Sequence, residues 1–176
     1  MKTPNFEGVK IIDILYSTDM RGSFTKIYNK KNMVDRGIDM EIRESYYSVS
    51  NQDVIRGMHF QLPPHGHDKM VHIVSGAVED VLLDLRKGSV TFGKCFSVLL
   101  YAEKPQVLYI PKGFAHGFKC LCDNTIMLYN VSSEYVPEKD AGILWSSIDY
   151  DWKIDMPIVS ARDKGLINFS EFISPF

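Results

Sequence analysis

The sequence predicts an all-β domain trimmed by a few short helices, and three observations carry that reading. From about residue 40 onward, short apolar or alternating runs follow one another, each bounded by Gly, Pro, Asn or Asp. That spacing marks a sandwich, barrel or jelly roll. Helical patterning is confined to Asn29–Gly37 and the tail after Asp163, both short. The chain has 176 residues with no internal repeat or low-complexity segment, so residues 1–176 read as a single domain with a sizeable core.

The expected strands follow in order. Val9–Leu15 is apolar enough to open the fold as a strand. Glu41–Val49, Val54–Gln61, Met70–Val74 and Ala77–Leu85 come next, then Cys95–Tyr101, Gln106–Ile110, Gly117–Leu121 and Thr125–Val131. In each, side chains two apart share a face, so alternation separates a buried set from a second set.

Composition narrows the function. The formal net charge is -2 and no long Lys/Arg run occurs, which argues against a nucleic-acid binder but leaves room for a local arginine cluster on one diphosphate. No stretch approaches the ~20 apolar residues of a membrane span. The opening Met1-Lys-Thr-Pro-Asn-Phe-Glu-Gly lacks the apolar core of a signal peptide. The three cysteines, Cys95, Cys120 and Cys122, form an odd set. Cys120 and Cys122, if on one strand, point the same way as small buried hydrophobes. A reducing cytoplasm is the expected compartment.

Four segments place ionisable residues where strands should be apolar: Ile55-Arg56-Gly57-Met58-His59-Phe60-Gln61, Lys69 ahead of Met70–Val74, Pro111-Lys-Gly113-Phe-Ala-His116-Gly117-Phe118, and Tyr129 within Ile126–Val131. Pro-x-Gly-x-x-His resembles the second signature of the cupin superfamily, in which the His projects into a barrel lumen. His65-Gly-His67 has the spacing of a metal cupin, with His116 available as a third ligand. The Glu which that signature also requires is replaced by Val71 and His72, so no metal is expected. On a regular strand Arg56 and His59 face opposite ways; either a bulge at Gly57 or a curled Arg56 side chain is needed to bring them together.

Read together and in order, these segments, with Val81–Arg86, Ser89–Gly93, Asp19-Met-Arg21-Gly22 and Ser160-Ala-Arg162-Asp163, resemble the dTDP-4-dehydrorhamnose 3,5-epimerase family over nearly the whole chain. The resemblance implies a cupin-like jelly roll (a double-stranded β-helix), a homodimer, and a nucleotide-diphosphate 4-keto-6-deoxy sugar as substrate. It also implies an isomerase without cofactor, because the C4 ketone acidifies the protons on C3 and C5. Such chemistry needs a base, an electrophile for the enolate oxygen and an acid on the far face. His59 corresponds to the base, Asp163 to the carboxylate that orients it, Lys69 to the cation at the ketone and Tyr129 to the acid. Arg21 and Arg56 match diphosphate-binding arginines, Tyr135 an aromatic that stacks on the base, and His116 a polar contact. Gln61, Asp140 and Arg162 complete the expected substrate-binding set. Singly, each has an ordinary structural reading: a core histidine, a solvated strand end, a barrel aromatic, an N-cap.

Three positions depart from the family pattern. Lys26 stands where the family has Glu, and Glu44 and Tyr46 stand where it has Gln and Asn. All three belong to the nucleotide region, and the swap reads either as a compensating ion pair or as recognition of another base. Guanine presents ring N–H and amino donors to a carboxylate, whereas thymine offers one imide N–H. The alternatives are therefore a mono-epimerase, or an enzyme for a GDP- or CDP-linked 4-keto sugar or heptose. A 3,4-ketoisomerase relative, a non-catalytic sugar-binding cupin and a metal-dependent isomerase or oxygenase rank lower.

Overall fold

The computed structural model describes residues 6–176. Two five-stranded antiparallel sheets face each other. One has the order β1 (Lys10–Asp13), β9 (Gln106–Ile110), β6 (Lys69–Ser75), β11 (Thr125–Val131), β4 (Glu44–Ser50). The other runs β12 (Asp140–Gly142), β5 (Ile55–Gln61), β10 (Phe114–Cys120), β7 (Ala77–Asp84), β8 (Cys95–Tyr101). A separate hairpin joins β2 (Leu15–Asp19) to β3 (Gly22–Lys26). The architecture is a cupin-like jelly roll.

Period-two alternation divides the core into layers. Between the sheets lie Val71 and Ile73 of β6, Met127 and Tyr129 of β11, Val78 and Leu82 of β7, and Phe114, Phe118 and Cys120 of β10. The intervening residues Val81, Leu83 and Ala115 point outward and are covered by the C-terminal segment through Ile143, Ile148 and Trp152. Met70 and Val107 on the other outer face pack under Met33 and Ile38, at helix α1 (Lys30–Asp35) and just after it. By the same parity Lys69, Asp80, His116 and Tyr129 point between the sheets, which is why polar residues interrupt apolar strands.

Strands β8, β9 and β11 run between the expected limits. Elsewhere tertiary pairing moves the boundaries. Val9–Leu15 is not one strand: it divides at Ile14 into β1, which pairs with β9, and β2, which leaves to form the hairpin. Strand β10 begins at Phe114, three residues before the expected Gly117, because Phe114–His116 pair with Leu82–Asp84. Cys120 is buried, but Cys122 lies beyond the strand in a turn, half-buried beside Thr125, so the two do not share a strand face. The C-terminal helical turn α2 (Ala161–Lys164) ends at Gly165 instead of continuing, and a single 3-10 turn, Phe169–Glu171, follows. Among the described residues no helix is long and apolar enough to cross a membrane.

Candidate active site

A cleft of ≈ 550 Å³ opens between the sheets, lined in part by His59, Lys69, His116 and Tyr129. The geometry that admits His59 begins at Gly57. Residues His116 and Phe118 of β10 pair with His59 and Arg56 of β5, so two steps on one strand answer three on the other. This is a bulge, and it brings both Arg56 and His59 to the cleft. Gly57 has φ 134, and a Cβ there would lie 2.4 Å from Gly117 Cα, so only glycine fits. Its N–H donates to Asp163 Oδ2 at 3.2 Å.

Asp163 also receives the imidazole. His59 Nε2 lies 2.8 Å from Asp163 Oδ1. Burial raises the Asp163 pKa, but bonds from His59 and the Gly57 N–H and the nearby Arg162 charge outweigh it and hold the net value below the ordinary range. An ionised carboxylate accepts, so His59 Nε2 carries the hydrogen and Nδ1 keeps its lone pair as the basic atom. Arg162 Nη1, 3.3 Å from the same Nε2, is then a neighbouring cation and not its donor. Asp163 is not the N-cap of its turn: Ser160 caps it, accepting from the Asp163 N–H at 3.0 Å.

On the facing sheet, Lys69 is buried and donates to the His59 carbonyl at 3.2 Å. Burial lowers its pKa to about 8, against the opposing pull of Asp140 and Asp80. Tyr129 is buried, its hydroxyl 3.4 Å from Ser48 Oγ and its ring stacked on Tyr46 at 4.8 Å. Burial drives the Tyr129 phenol far above its usual pKa, so it is fully protonated at neutral pH. A second carboxylate–imidazole pair stands alongside: His116 Nε2 to Asp80 Oδ2, 2.9 Å. Burial raises the Asp80 pKa despite His116 and Lys69.

The outer part of the set is joined by polar contacts. Arg162 pairs with Asp140 at 2.6 Å, and the Tyr135 hydroxyl donates to the same carboxylate at 3.2 Å. Glu44 Oε1 accepts from the Tyr135 N–H at 2.8 Å. Arg56 donates from Nε to Ser50 Oγ at 2.9 Å. Gln61 lines the cleft, yet its amide is committed to the chain, accepting from Val136 N–H and donating toward the His65 and Glu134 carbonyls.

The chain matches the model of the dTDP-4-dehydrorhamnose 3,5-epimerase family over residues 3–171. The chain belongs to that family. An enzyme of that name from Shigella flexneri is 40% identical over 158 residues, 88% of this chain and 86% of the relative. The crystal structure of the Bacillus anthracis dTDP-4-dehydrorhamnose 3,5-epimerase with TDP and PPi bound superposes with a TM-score of 0.90 at 36% identity, covering 95% of this chain and 97% of that one. A Legionella pneumophila structure in complex with dTDP-4-keto-L-rhamnose gives 0.88 at 31% identity, covering 94% and 89%.

In this epimerase two expected nucleotide residues lie away from the cleft. Arg21 sits at the tip of the β2–β3 hairpin, its side chain 86% exposed and paired, among the described residues, with Asp19 alone. Lys26, at the base of the hairpin, lines a smaller cavity with Asp13 and Arg36 and makes no ion pair with Glu44, whose carboxylate holds Tyr135 instead. The compensating pair is therefore not formed within one chain, because the hairpin leaves the sheet that carries Glu44. His65, His67 and His116 do not converge: His116 Nε2 faces Asp80, and among the described residues no three His, Cys, Asp or Glu are grouped as metal ligands. Asp80 and Ser48 bond to the cleft residues His116 and Tyr129 and escape the sequence reading, although the alternation of β7 and β4 is the signal that could find them. His67, which the sequence suggests only as a metal ligand, lines the cleft.

Proposed function

We propose that the epimerase inverts C3, C5 or both of a nucleotide-linked 4-keto-6-deoxy sugar, with His59 as base and Tyr129 as acid. One observation carries this reading: the base projects from one sheet and the acid and cation from the other, so a sugar between them meets opposed proton-transfer groups. His59 Nδ1 takes the proton from the carbon beside the ketone. The C–H electrons move to the C4 oxygen, where the Lys69 ammonium stabilises the enolate. Tyr129 returns a proton to the opposite face; its phenolate then recovers one from solvent, and His59 releases to solvent the one it took. Asp163 holds the imidazole tautomer and offsets the charge on His59 once it is protonated.

The names of the relatives and the dTDP-4-keto-L-rhamnose bound in the Legionella structure make a dTDP-linked sugar the first candidate. Glu44 favours a second one. With Oε1 held by Tyr135, its other oxygen has no hydrogen-bond partner among the described residues and can accept from a base that carries an amino group, as in a GDP- or CDP-sugar. A homodimer fits the same reading: the hairpin exposes Leu15, Met20 and Phe24 with Arg21 at its tip, and edge strand β4 exposes Tyr47 and Val49. A second copy of the chain would cover these faces and present Arg21 to a diphosphate. Incubation with dTDP-, GDP- and CDP-linked 4-keto sugars in deuterated water tests the proposal. Deuterium at C3 or C5, lost on His59→Asn, supports it, and no uptake from any of them overturns it.

A further inference from the structure

His67 lines the cleft, and the catalytic scheme leaves it without a task. It lies in the segment between β5 and β6, which is clamped on both flanks. Gln61 holds the start, Asp68 N–H donates to Ser132 Oγ at 2.9 Å, and Asp68 Oδ1 accepts from Lys112 N–H at 2.9 Å. The orientation of the Gln61 amide is dictated by backbone groups that cannot flip. Its Oε1 faces the Val136 N–H at 2.7 Å, and its Nε2 faces the carbonyls of Glu134 and His65 at 3.1 and 3.3 Å. That same Nε2 lies 3.0 Å from His67 Nδ1. The amide NH2 shares two hydrogens among these three acceptors, and an Nδ1–H would point at a donor 3.0 Å away, so Nδ1 is bare and the single ring proton of neutral His67 sits on Nε2. The Nε2–H is buried and has no partner among the described residues. Burial, the Lys69 charge and His116 lower the His67 pKa to about 3, so the ring is neutral at neutral pH.

A buried donor without an acceptor costs about 1–3 kcal/mol, a cost that an oxygen reaching Nε2 through a small shift of the cleft wall would offset. We infer that His67 donates its Nε2–H to the C4 oxygen of the bound sugar, as a neutral partner to the Lys69 ammonium two residues away. This rests on the epimerase reading above. A ketone or enolate oxygen is a pure acceptor, and a cation plus a neutral N–H supplies two donors to it with only one buried charge. A neutral imidazole is not drawn into competing ion pairs, and because it remains singly protonated it does not compete with His59 as the base.

The test pairs two variants with one spectroscopic measurement. His67→Phe keeps a planar ring without the donor, and His67→Gln restores an N–H. With a nucleotide 4-keto sugar the parent accepts, His67→Phe should lower kcat for deuterium uptake about 10²-fold. Affinity for the nucleoside diphosphate alone should stay within about twofold, and His67→Gln should recover most of the rate. Uptake by His67→Phe at the parent's rate overturns the inference and leaves the epimerase reading intact. A parent that exchanges nothing fails that reading instead. Should His67→Phe not fold, the imidazole nitrogen spectrum of the parent decides: His67 should show protonated Nε2 and bare Nδ1 from about pH 5 to 8. A His67 that titrates in that range, or that carries its proton on Nδ1, refutes the assignment.

Discussion

Replacing Lys69 with methionine separates what the ammonium does for catalysis from what it does to stability, and the two effects have opposite signs. The side chain is 7% exposed, and burial lowers its pKa from 10.5 to about 8. A tenfold loss of proton affinity corresponds to about 1.4 kcal/mol, so keeping this lysine charged in the folded state costs about 3 kcal/mol at neutral pH. Methionine has a similar shape and no charge. It loses the hydrogen bond to the His59 carbonyl, worth about 1 kcal/mol, for a net gain of about 2 kcal/mol. For a chain of this size that is a rise in Tm of about 6 °C. The pH dependence is specific. The folded pKa lies below the unfolded one, so between about pH 8 and 10.5 the unfolded chain binds more protons and the parent gains stability as pH rises. The advantage of Lys69→Met should thus be constant below about pH 8, vanish near about pH 9.5 and become a deficit of about 1 kcal/mol at 10.5, where the neutral lysine keeps its hydrogen bond at no cost in charge burial. Turnover should fall at least about 10²-fold for want of the electrophile. Thermal melts across this pH range, with deuterium-uptake rates, measure both. A variant less stable than the parent at pH 7, or one that keeps its rate, refutes the reasoning.

Tyr129→Phe removes one phenolic donor with little change in volume; it should still exchange substrate deuterium through His59 while forming little inverted sugar, scored by trapping with a ketoreductase. Inversion at the parent's rate would make Tyr129 a packing residue. Gly57→Ala, which drives a Cβ to 2.4 Å from Gly117 Cα, should lower stability by about 2–4 kcal/mol and impair His59 placement, read by denaturant melts and exchange rate. An unchanged melt would mean the bulge tolerates a side chain. If Arg21 serves a partner's cleft, mixing inactive Arg21→Ala and His59→Asn chains should restore about a quarter to a half of the activity per site, because a mixed dimer keeps one complete cleft. No recovery after subunit exchange would refute an Arg21 that serves the partner's cleft.

Much of the candidate site's lining was legible in the sequence because strand parity is a local property. Alternation sets β8, β9 and β11 between their limits and turns Lys69, His116 and Tyr129 toward one lumen, with motif order naming their partners. The β2–β3 hairpin escaped because nearly all its residues are exposed and leave no alternation to read, and three-residue β12 exists only through its pairing with β5. Whether Arg56 and His59 met could not be decided from β5 alone, since the bulge is set by how closely Gly57 approaches Gly117 on another strand. The protons are likewise non-local. Asp163, 104 positions from His59 in the chain, determines which nitrogen is basic. For His67 the same decision falls to Gln61, itself oriented by backbone at Glu134 and Val136. The sequence by itself determined that Lys69, His116 and Tyr129 interrupt apolar strands and face one lumen. Only the tertiary structure decided which atom of each carries the proton, because a hydrogen bond is set by whichever group the fold places opposite.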